Sequence, residues 1–271
     1  MVAIIVQARM ASTRLPGKVM LPVLGKTILA LMIERLQMIQ HQAVFVIATS
    51  VNPEDDIIEQ EAHLLNIPCY RGDQNNLLDR HYQAALLHGA GVILKIPSDC
   101  PLIDPRIIDQ TLAYFFENTI AHDYVGNLHP ATWPDGNDVE IMTMACLKQA
   151  WENANKNLEL EHTTPYIWEN PQLFSIGNVS WETGLDYSMS HRFTIDYLED
   201  YHFIKRVFEE LYPTNKNFSC ADILDLLDRK PEIYQINVIY AGVNWYRNHL
   251  NELKTIQPEQ TKQAPVSPIN I

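Results

Sequence analysis

The chain opens with Val2-Ala3-Ile4-Ile5-Val6-Gln7 and runs straight into Ala8-Arg9-Met10-Ala11-Ser12-Thr13-Arg14-Leu15-Pro16-Gly17-Lys18. The short unbroken apolar run predicts a buried strand. The residues behind it, with three cations, two hydroxyls and a Pro-Gly pair, predict a loop. Glu34 is the first acidic residue, although the whole chain carries a formal charge of −13. Cations gathered at the carboxyl end of a first strand mark the place where an open α/β sheet holds an anion. The loop is read as a phosphate site built on Arg9, Arg14 and Lys18, with arginine giving forked hydrogen bonds and lysine a point charge. It is not a P-loop, because Ser12 stands where the first glycine belongs and Val19 follows Lys18. Nor is it a dinucleotide fingerprint, which needs three glycines where this loop has only Gly17.

The next segments extend this opening into a βαβαβ unit. Ile28, Leu29, Met32, Ile33, Leu36 and Ile39 share one helical face. Residues 43–49 read as a second strand, and Asn52-Pro53 with Glu54, Asp55 and Asp56 as a capped helix start. A short strand at 67–71 completes the unit, which predicts a parallel sheet wound with helices. Further on, 91–96 is another buried strand, Asp104-Pro105 starts a helix, and 123–127 and 191–196 read as strands. Asp99 falls at the carboxyl end of an apolar strand, where such sheets place their chemistry. A carboxylate there suits Mg²⁺, a cation of oxygen ligands. Asp138 and Glu140 lie two apart, so on a strand they face one side, toward sugar hydroxyls or toward a cationic partner.

Composition sets the outer limits. With 271 residues and 46% of them apolar, the chain can bury one large α/β core. Its negative charge and lack of any Lys/Arg run argue against nucleic acid or an anionic membrane as partner. Cys69, Cys100, Cys146 and Cys220 are widely spaced, as expected of reduced thiols rather than a disulfide or zinc framework. The first apolar run is too short for a signal peptide or a membrane span, and a cytoplasmic location is expected. Pro, Gln and Lys dominate after about Gln257, so residues 251–271 are expected to be a flexible tail behind a domain at 1–250.

Gln7-Ala8-Arg9-Met10-Ala11-Ser12-Thr13-Arg14-Leu15-Pro16-Gly17-Lys18-Val19 resembles the amino-terminal signature of the cytidylyltransferase family, in its spore-coat polysaccharide biosynthesis branch, which is related to CMP-sugar acid synthetases. Ala11 stands where that family usually has Gly. The resemblance implies a Rossmann-like three-layer nucleotide-diphospho-sugar transferase fold with a mostly parallel mixed sheet. It also implies a nucleotide site at Gln7, Ala8, Arg9, Ser12, Arg14, Lys18 and Ser98. Leu78-Asp79-Arg80 resembles the segment beside the base, so Asp79 and Arg80 join that set; ordinary surface pairing is the plainer reading of both.

The stretch from Asp99 to Asp104 resembles the metal-binding turn, with Ser98 replacing a usual Gly. His191 to Asp196 resembles an Arg-x-Thr-x-Asp element whose Asp is a second metal ligand, although Asp196 as a helix cap is the plain alternative. Pro134 to Glu140 and Glu161-His162-Thr163-Thr164-Pro165-Tyr166-Ile167 resemble acceptor-site stretches. They imply Asp138, Glu140, His162 and Tyr166 as acceptor contacts, against a structural histidine. The implied reaction is Mg²⁺-dependent nucleotidyl transfer from CTP, or another nucleoside triphosphate, to a sugar acid, sugar phosphate or phosphonate. Related synthetases are often homodimers. A glycosyltransferase is disfavoured, because Asp99-Cys100-Pro101 lacks the second Asp of an Asp-x-Asp pair; a non-catalytic nucleotide-sugar binding subunit is the rival from another class.

Overall fold

The opening apolar run forms β1 (Val2–Gln7), at the centre of a seven-stranded sheet. The computed structural model of the chain describes residues 1–117 and 121–265. After β1 come a small hairpin, β2 (Pro22–Val23) with β3 (Lys26–Thr27), then α1 (Ile28–Leu36), β4 (Ala43–Ser50), α2 (Asp56–Leu64) and β5 (Cys69–Gly72). The chain continues through α3 (Leu77–Leu87), β6 (Val92–Pro97), α4 (Pro105–Glu117), β7 (Tyr124–Gly126), β8 (Glu140–Thr143) and α5 (Met144–Asn153). Next are α6 (Asn157–His162), α7 (Pro165–Trp168), β9 (Ile176–Asn178), α8 (Leu198–Leu211), α9 (Cys220–Arg229) and α10 (Pro231–Tyr234).

The sheet order is β5-β4-β1-β6-β8-β7-β9. The strands β5, β4, β1 and β6 are parallel, β8 runs against both its neighbours, and β9 is parallel to β7. The expected mostly parallel, mixed α/β sheet is what forms. Val2, Ile4 and Val6 pack on one side with α1, α4, α8 and α9. Ala3 and Ile5 pack on the other with α3, α5 and α7. A strand covered on both faces has no polar side to show, which explains the unbroken apolar run. From β1 the chain winds outward to β4 and β5, then returns to the other side of β1 as β6. That reversal leaves a crevice beyond the carboxyl ends of β1 and β6.

Three local expectations are corrected. Residues 191–196 join no strand of the sheet and make only an isolated bridge from Arg192 to Asp135. Their backbone is used across the strand ends instead, with Ile195 N–H and Thr194 Oγ1 donating to Asp99 O at 2.8 and 2.9 Å. Asn52 makes no side-chain cap; a single 3₁₀ turn at Pro53–Asp55 precedes α2. The tail is packed over the part that is described. Leu253 and Ile256 are buried, Glu169 accepts from the N–H groups of Lys254 and Thr255 at 2.7 and 2.9 Å, and Lys262 N–H donates to Gly242 O at 2.8 Å. A few apolar residues and one capping carboxylate suffice to dock a polar segment, and composition alone hides them. Residues 266–271 lie outside the described residues.

Gly136 joins the two halves of the crevice. Its φ is +104°, and a Cβ there would lie 2.6 Å from the Phe193 carbonyl carbon and 2.7 Å from Thr194 N. Backbone on backbone cannot yield as a side chain can. Gly136→Ala is expected to cost about 3 kcal/mol or more. Differential scanning calorimetry should read this as a fall in Tm of about 6–12 °C.

Candidate active site

The crevice is a cleft of about 640 Å³, a size that suits a nucleotide and a small second molecule. One wall is the loop after β1. The peptide of Met10 organises it: its carbonyl accepts from Ser12 N–H at 2.8 Å and Gly17 N–H at 2.9 Å, and its own N–H donates to Asp55 Oδ1 at 2.7 Å. Gly17, at φ +70°, turns the chain there so that Lys18 points back under the loop.

Lys18 is the centre of the site. Its Nζ donates to Asp99 Oδ2 at 3.1 Å, Asp196 Oδ1 at 2.9 Å and Ile195 O at 2.7 Å, using all three donors. Burial opposes its charge, but Asp99 and Asp196 outweigh burial and hold the ammonium pKa above its ordinary value. Arg14 Nη2 lies 2.7 Å from Asp196 Oδ2, and the guanidinium sits over the Tyr197 ring. Its pKa too is raised, since Asp196 more than offsets partial burial. Asp196 is partly buried, which opposes its charge, yet three cations (Lys18, Arg14 and Arg192) drive its pKa well below the usual carboxylate range.

Arg9 reaches across the cleft mouth to Glu161 at 3.5 Å. Arg80 is 1% exposed, and its Nε and Nη1 have no partner among the described residues. Burial, and then Arg9, lower its pKa to about 10, so it remains a cation at neutral pH. Gln7, Ala8, Ser12 and Ser98 also line the cleft, and the Oε1 of Gln7 is buried without a partner. Unpaired buried polar groups at a cleft wall are costly in isolation and suit a polar ligand.

The opposite end is built from the loop before β8, α6 and the chain after Val243. Two asparagines pin the first of these. Asn127 Nδ2 donates to Asn137 O at 2.7 Å and its Oδ1 accepts from Val139 N–H at 2.9 Å, while Asn137 Oδ1 accepts from Asp104 N–H at 3.1 Å. Asp104 is the helix cap it was expected to be, accepting from Arg106 N–H at 3.0 Å.

Of the expected acceptor residues, Asp138, Glu140 and His162 line the cleft, but they differ in freedom. Glu140 is committed to Lys95, to Tyr124 Oη at 2.9 Å and to Thr164 Oγ1 at 2.6 Å. Burial works against its charge, but Lys95 keeps its pKa below the ordinary value. His162 stacks on Trp245 with ring centroids 3.7 Å apart. Burial drives its pKa to about 3, so it is neutral and cannot attract an anion by charge. Asp138 holds only a long hydrogen bond, 3.4 Å, from Gly136 N–H. Burial and then Asp99 raise its pKa to about 6.

A carboxylate whose folded pKa lies above its unfolded value favours the fold when protonated. That contribution is full at low pH and is lost as pH rises through 6. Asp138→Asn should therefore raise the unfolding free energy read by chemical denaturation at pH 8 by about 1 kcal/mol once solvent access is allowed for, and leave it nearly unchanged at pH 4.

Asp79 and Tyr166 stand outside the cleft. Asp79 Oδ1 instead accepts from Gln83 Nε2 at 3.1 Å and Trp151 Nε1 at 2.8 Å, tying α3 to α5. Tyr166 packs edge-on against Phe174 in the second core. In both segments the family-like spacing is present, but the helix turns that particular side chain toward its neighbours.

Sequence reading missed Arg192. It is 2% exposed and binds Asp200 through Nε at 3.0 Å, Asp135 and Val243 O through Nη1 at 3.0 and 2.7 Å, and Asp196 through Nη2 at 3.1 Å. Its spacings of four residues to Asp196 and eight to Asp200 were the available signal. Also missed were Asp135, Lys95 and the wall of Trp245, Tyr246 and His249.

With this geometry in view, the likenesses to other proteins are informative. A family model described as cytidylyltransferase matches residues 3–256. A solved cytidylyltransferase from Leptospira borgpetersenii superposes with a TM-score of 0.82 at 35% identity, over 86% of this chain and 96% of that one. The Bacillus subtilis spore coat polysaccharide biosynthesis protein SpsF is 28% identical over 84% of this chain and 94% of its own length. A Geobacter sulfurreducens 3-deoxy-manno-octulosonate cytidylyltransferase is 33% identical over 42% of this chain and 45% of its own. The matched segment contains both the loop after β1 and the aspartates that meet Lys18, so fold, cleft and sequence agree: the chain belongs to the cytidylyltransferase family.

Proposed function

We propose that this chain transfers CMP from CTP to a hydroxyl of a small sugar-type acceptor, with a sugar acid as the favoured class, and releases pyrophosphate. One observation carries the reading: Asp99 at the end of β6 and Asp196 before α8 both meet Lys18 of the cationic loop, at the reversal point of the sheet. The acceptor oxygen forms a bond to the α-phosphorus as the bond from that phosphorus to the bridging oxygen breaks, and pyrophosphate departs with the electron pair. Arg9 and Arg14 would bind oxygens of the triphosphate in the ground state and the transition state alike, while Lys18, held by Asp99 and Asp196, would offset charge on the departing pyrophosphate. Such chemistry requires mainly positioning and charge stabilisation. Asp138, the least committed carboxylate of the far wall, is placed to take a hydrogen bond from the acceptor hydroxyl and, with its raised pKa, its proton.

The donor set fits Mg²⁺. Asp99 and Asp196 already turn oxygens toward one common cation, the Lys18 ammonium. Among the described residues no three candidate ligands form a metal cage by themselves, so these two carboxylates would hold the ion together with phosphate oxygens and water. Bound there, the ion would supply charge neutralisation at the α-phosphate. The acceptor class is supported by the name of the Geobacter relative, and a role in surface polysaccharide or glycoconjugate synthesis by that of SpsF. Among the described residues no helix is long and apolar enough to cross a membrane.

The test is pyrophosphate release from CTP, GTP, UTP and ATP with Mg²⁺, against eight- and nine-carbon keto sugar acids, hexose 1-phosphates and phosphonates. Release with CTP and a keto acid supports the reading. Release with another base or a phosphorylated acceptor keeps the chemistry and replaces the substrates. Nucleotide binding with no release across the panel points to a binding subunit.

A further inference from the structure

Asp55 is a buried carboxylate that the reaction does not use, and its position is unlike that of an ordinary helix-start acid. It is 1% exposed, and although it stands at the amino end of α2, it makes no cap bond to that helix. Its side chain points the other way. Oδ1 accepts from Met10 N–H at 2.7 Å, 45 residues back in the chain, while Oδ2 accepts from Ser50 N–H at 3.2 Å and from Ser50 Oγ.

Met10 lies between Arg9 and Arg14, and its carbonyl already gathers the N–H groups of Ser12 and Gly17. Both backbone polar groups of a single residue thus fix the loop, and among the described residues the N–H is held by Asp55. The end of β4 that binds the Asp55 carboxylate is itself braced, since Arg71 donates to Ser50 O at 2.9 Å and Asn52 O at 2.8 Å. The bond is charge-assisted and shielded from water, which strengthens it. The same carboxylate is one of the few negative charges acting on buried Arg80, whose pKa it raises against burial.

We infer that Asp55 is a positioning residue for nucleotide binding: it ties the cationic loop to the end of β4 and so sets where Arg9 and Arg14 meet the triphosphate. The inference rests on the cytidylyl-transfer reading for what the loop binds, but not for the tie itself. Misplacing a binding group by about 1 Å can cost on the order of 100-fold. A loop released from Asp55 loses binding in the ground state and the transition state alike, which raises KM and spares kcat.

Two measurements on the full chain test this, with Asp55→Ala, Asp55→Asn and Ser50→Ala beside the wild type and melting temperatures taken for all. Limited trypsin digestion without ligand reads the tie, because Arg9 and Arg14 are cleavage sites inside the loop. Asp55→Ala should be cut there about 10-fold faster or more at a temperature where it is still folded. Asp55→Asn should recover most of the protection, since its Oδ1 can accept from Met10 and its Nδ2 can donate to Ser50 Oγ. Ser50→Ala should stay close to wild type. Titration with CTP and steady-state kinetics read the consequence. In Asp55→Ala the Kd and KM for CTP should rise about 10–100-fold, while kcat at saturation and the acceptor KM stay within about threefold.

Unchanged loop cleavage in Asp55→Ala overturns the tie. Ser50→Ala behaving like Asp55→Ala overturns it as well, by placing the effect at β4. Faster cleavage with unchanged CTP affinity, or a fall in kcat at constant KM, overturns the role in binding. A wild type that binds no CTP although its loop is protected overturns the reaction reading and the binding role together, leaving a structural bond only.

Discussion

Asp99→Asn should lower kcat by at least about 100–1000-fold while leaving CTP bound within a few-fold of wild type, read by single-turnover kinetics beside nucleotide titration. The asymmetry follows from where Asp99 stands. Its backbone carbonyl is tied to Ile195 N–H and Thr194 Oγ1, so the strand end keeps its shape whatever the side chain. The carboxylate projects into the cleft at one-third exposure and touches Lys18 at 3.1 Å. An amide of the same size keeps the packing. It removes one of the two anionic oxygens aimed at the common cation position and lets Lys18 lean toward Asp196. On the proposed reading nucleotide affinity rests on Arg9, Arg14 and Lys18, all of which remain in the variant. Loss of CTP affinity in step with loss of turnover would contradict this division of labour.

Arg192→Met should destabilise the fold by about 3–5 kcal/mol, because it leaves Asp135, Asp196 and Asp200 facing one another without the guanidinium that joins them. The melting temperature is expected to fall by about 6–20 °C at pH 7.5. Hydrogen bonds propagate the damage. Asp200 Oδ2 accepts from the N–H groups of Asp196 and Tyr197 at 2.9 and 3.0 Å, and Asn237 Nδ2 donates to Asp200 Oδ1 at 2.9 Å, so the start of α8 is set by the same group. The pH dependence has a definite sign. In the wild type Asp196 has a depressed pKa, so the stability it contributes is present above the ordinary carboxylate pKa and is lost as pH falls below it. In the variant the carboxylates repel one another and take up protons more readily. The deficit against wild type should be largest near neutral pH and shrink toward pH 4. A melting temperature unchanged across that range would mean that water or another cation replaces Arg192 at no cost.

The fold was legible where burial forces composition. A strand covered on both faces must be mostly apolar, and β1, β4 and β6 are, with polar residues only at Gln7, Thr49, Ser50 and Lys95. The grouping of the loop cations was legible from their spacing behind such a strand, and Arg9, Arg14 and Lys18 all line the cleft. Legibility failed where a side chain's task depends on a distant partner. Asp55 reads as a helix-start acid, since nothing local shows that Met10 arrives beside it. Asp79 sits in a family-like segment, yet Trp151 and Gln83 take its carboxylate. Residues 191–196 have the composition of a strand, but Asp99 and Asp135 claim their backbone groups, and no sheet edge remains for them. Arg192 stayed hidden for a related reason: its burial is explained only when Asp135, 57 residues away, joins Asp196 and Asp200 around its guanidinium.

The most direct test of cytidylyl transfer follows the phosphorus atoms. The protein would be incubated with Mg²⁺ and a keto sugar acid, once with CTP labelled at the α-phosphate and once with CTP labelled at the γ-phosphate. Attack at the α-phosphorus should place the α label in the acceptor product, in a one-to-one ratio with pyrophosphate carrying the γ label. Release of the γ label as free orthophosphate, or its appearance in the acceptor, would contradict the proposed chemistry.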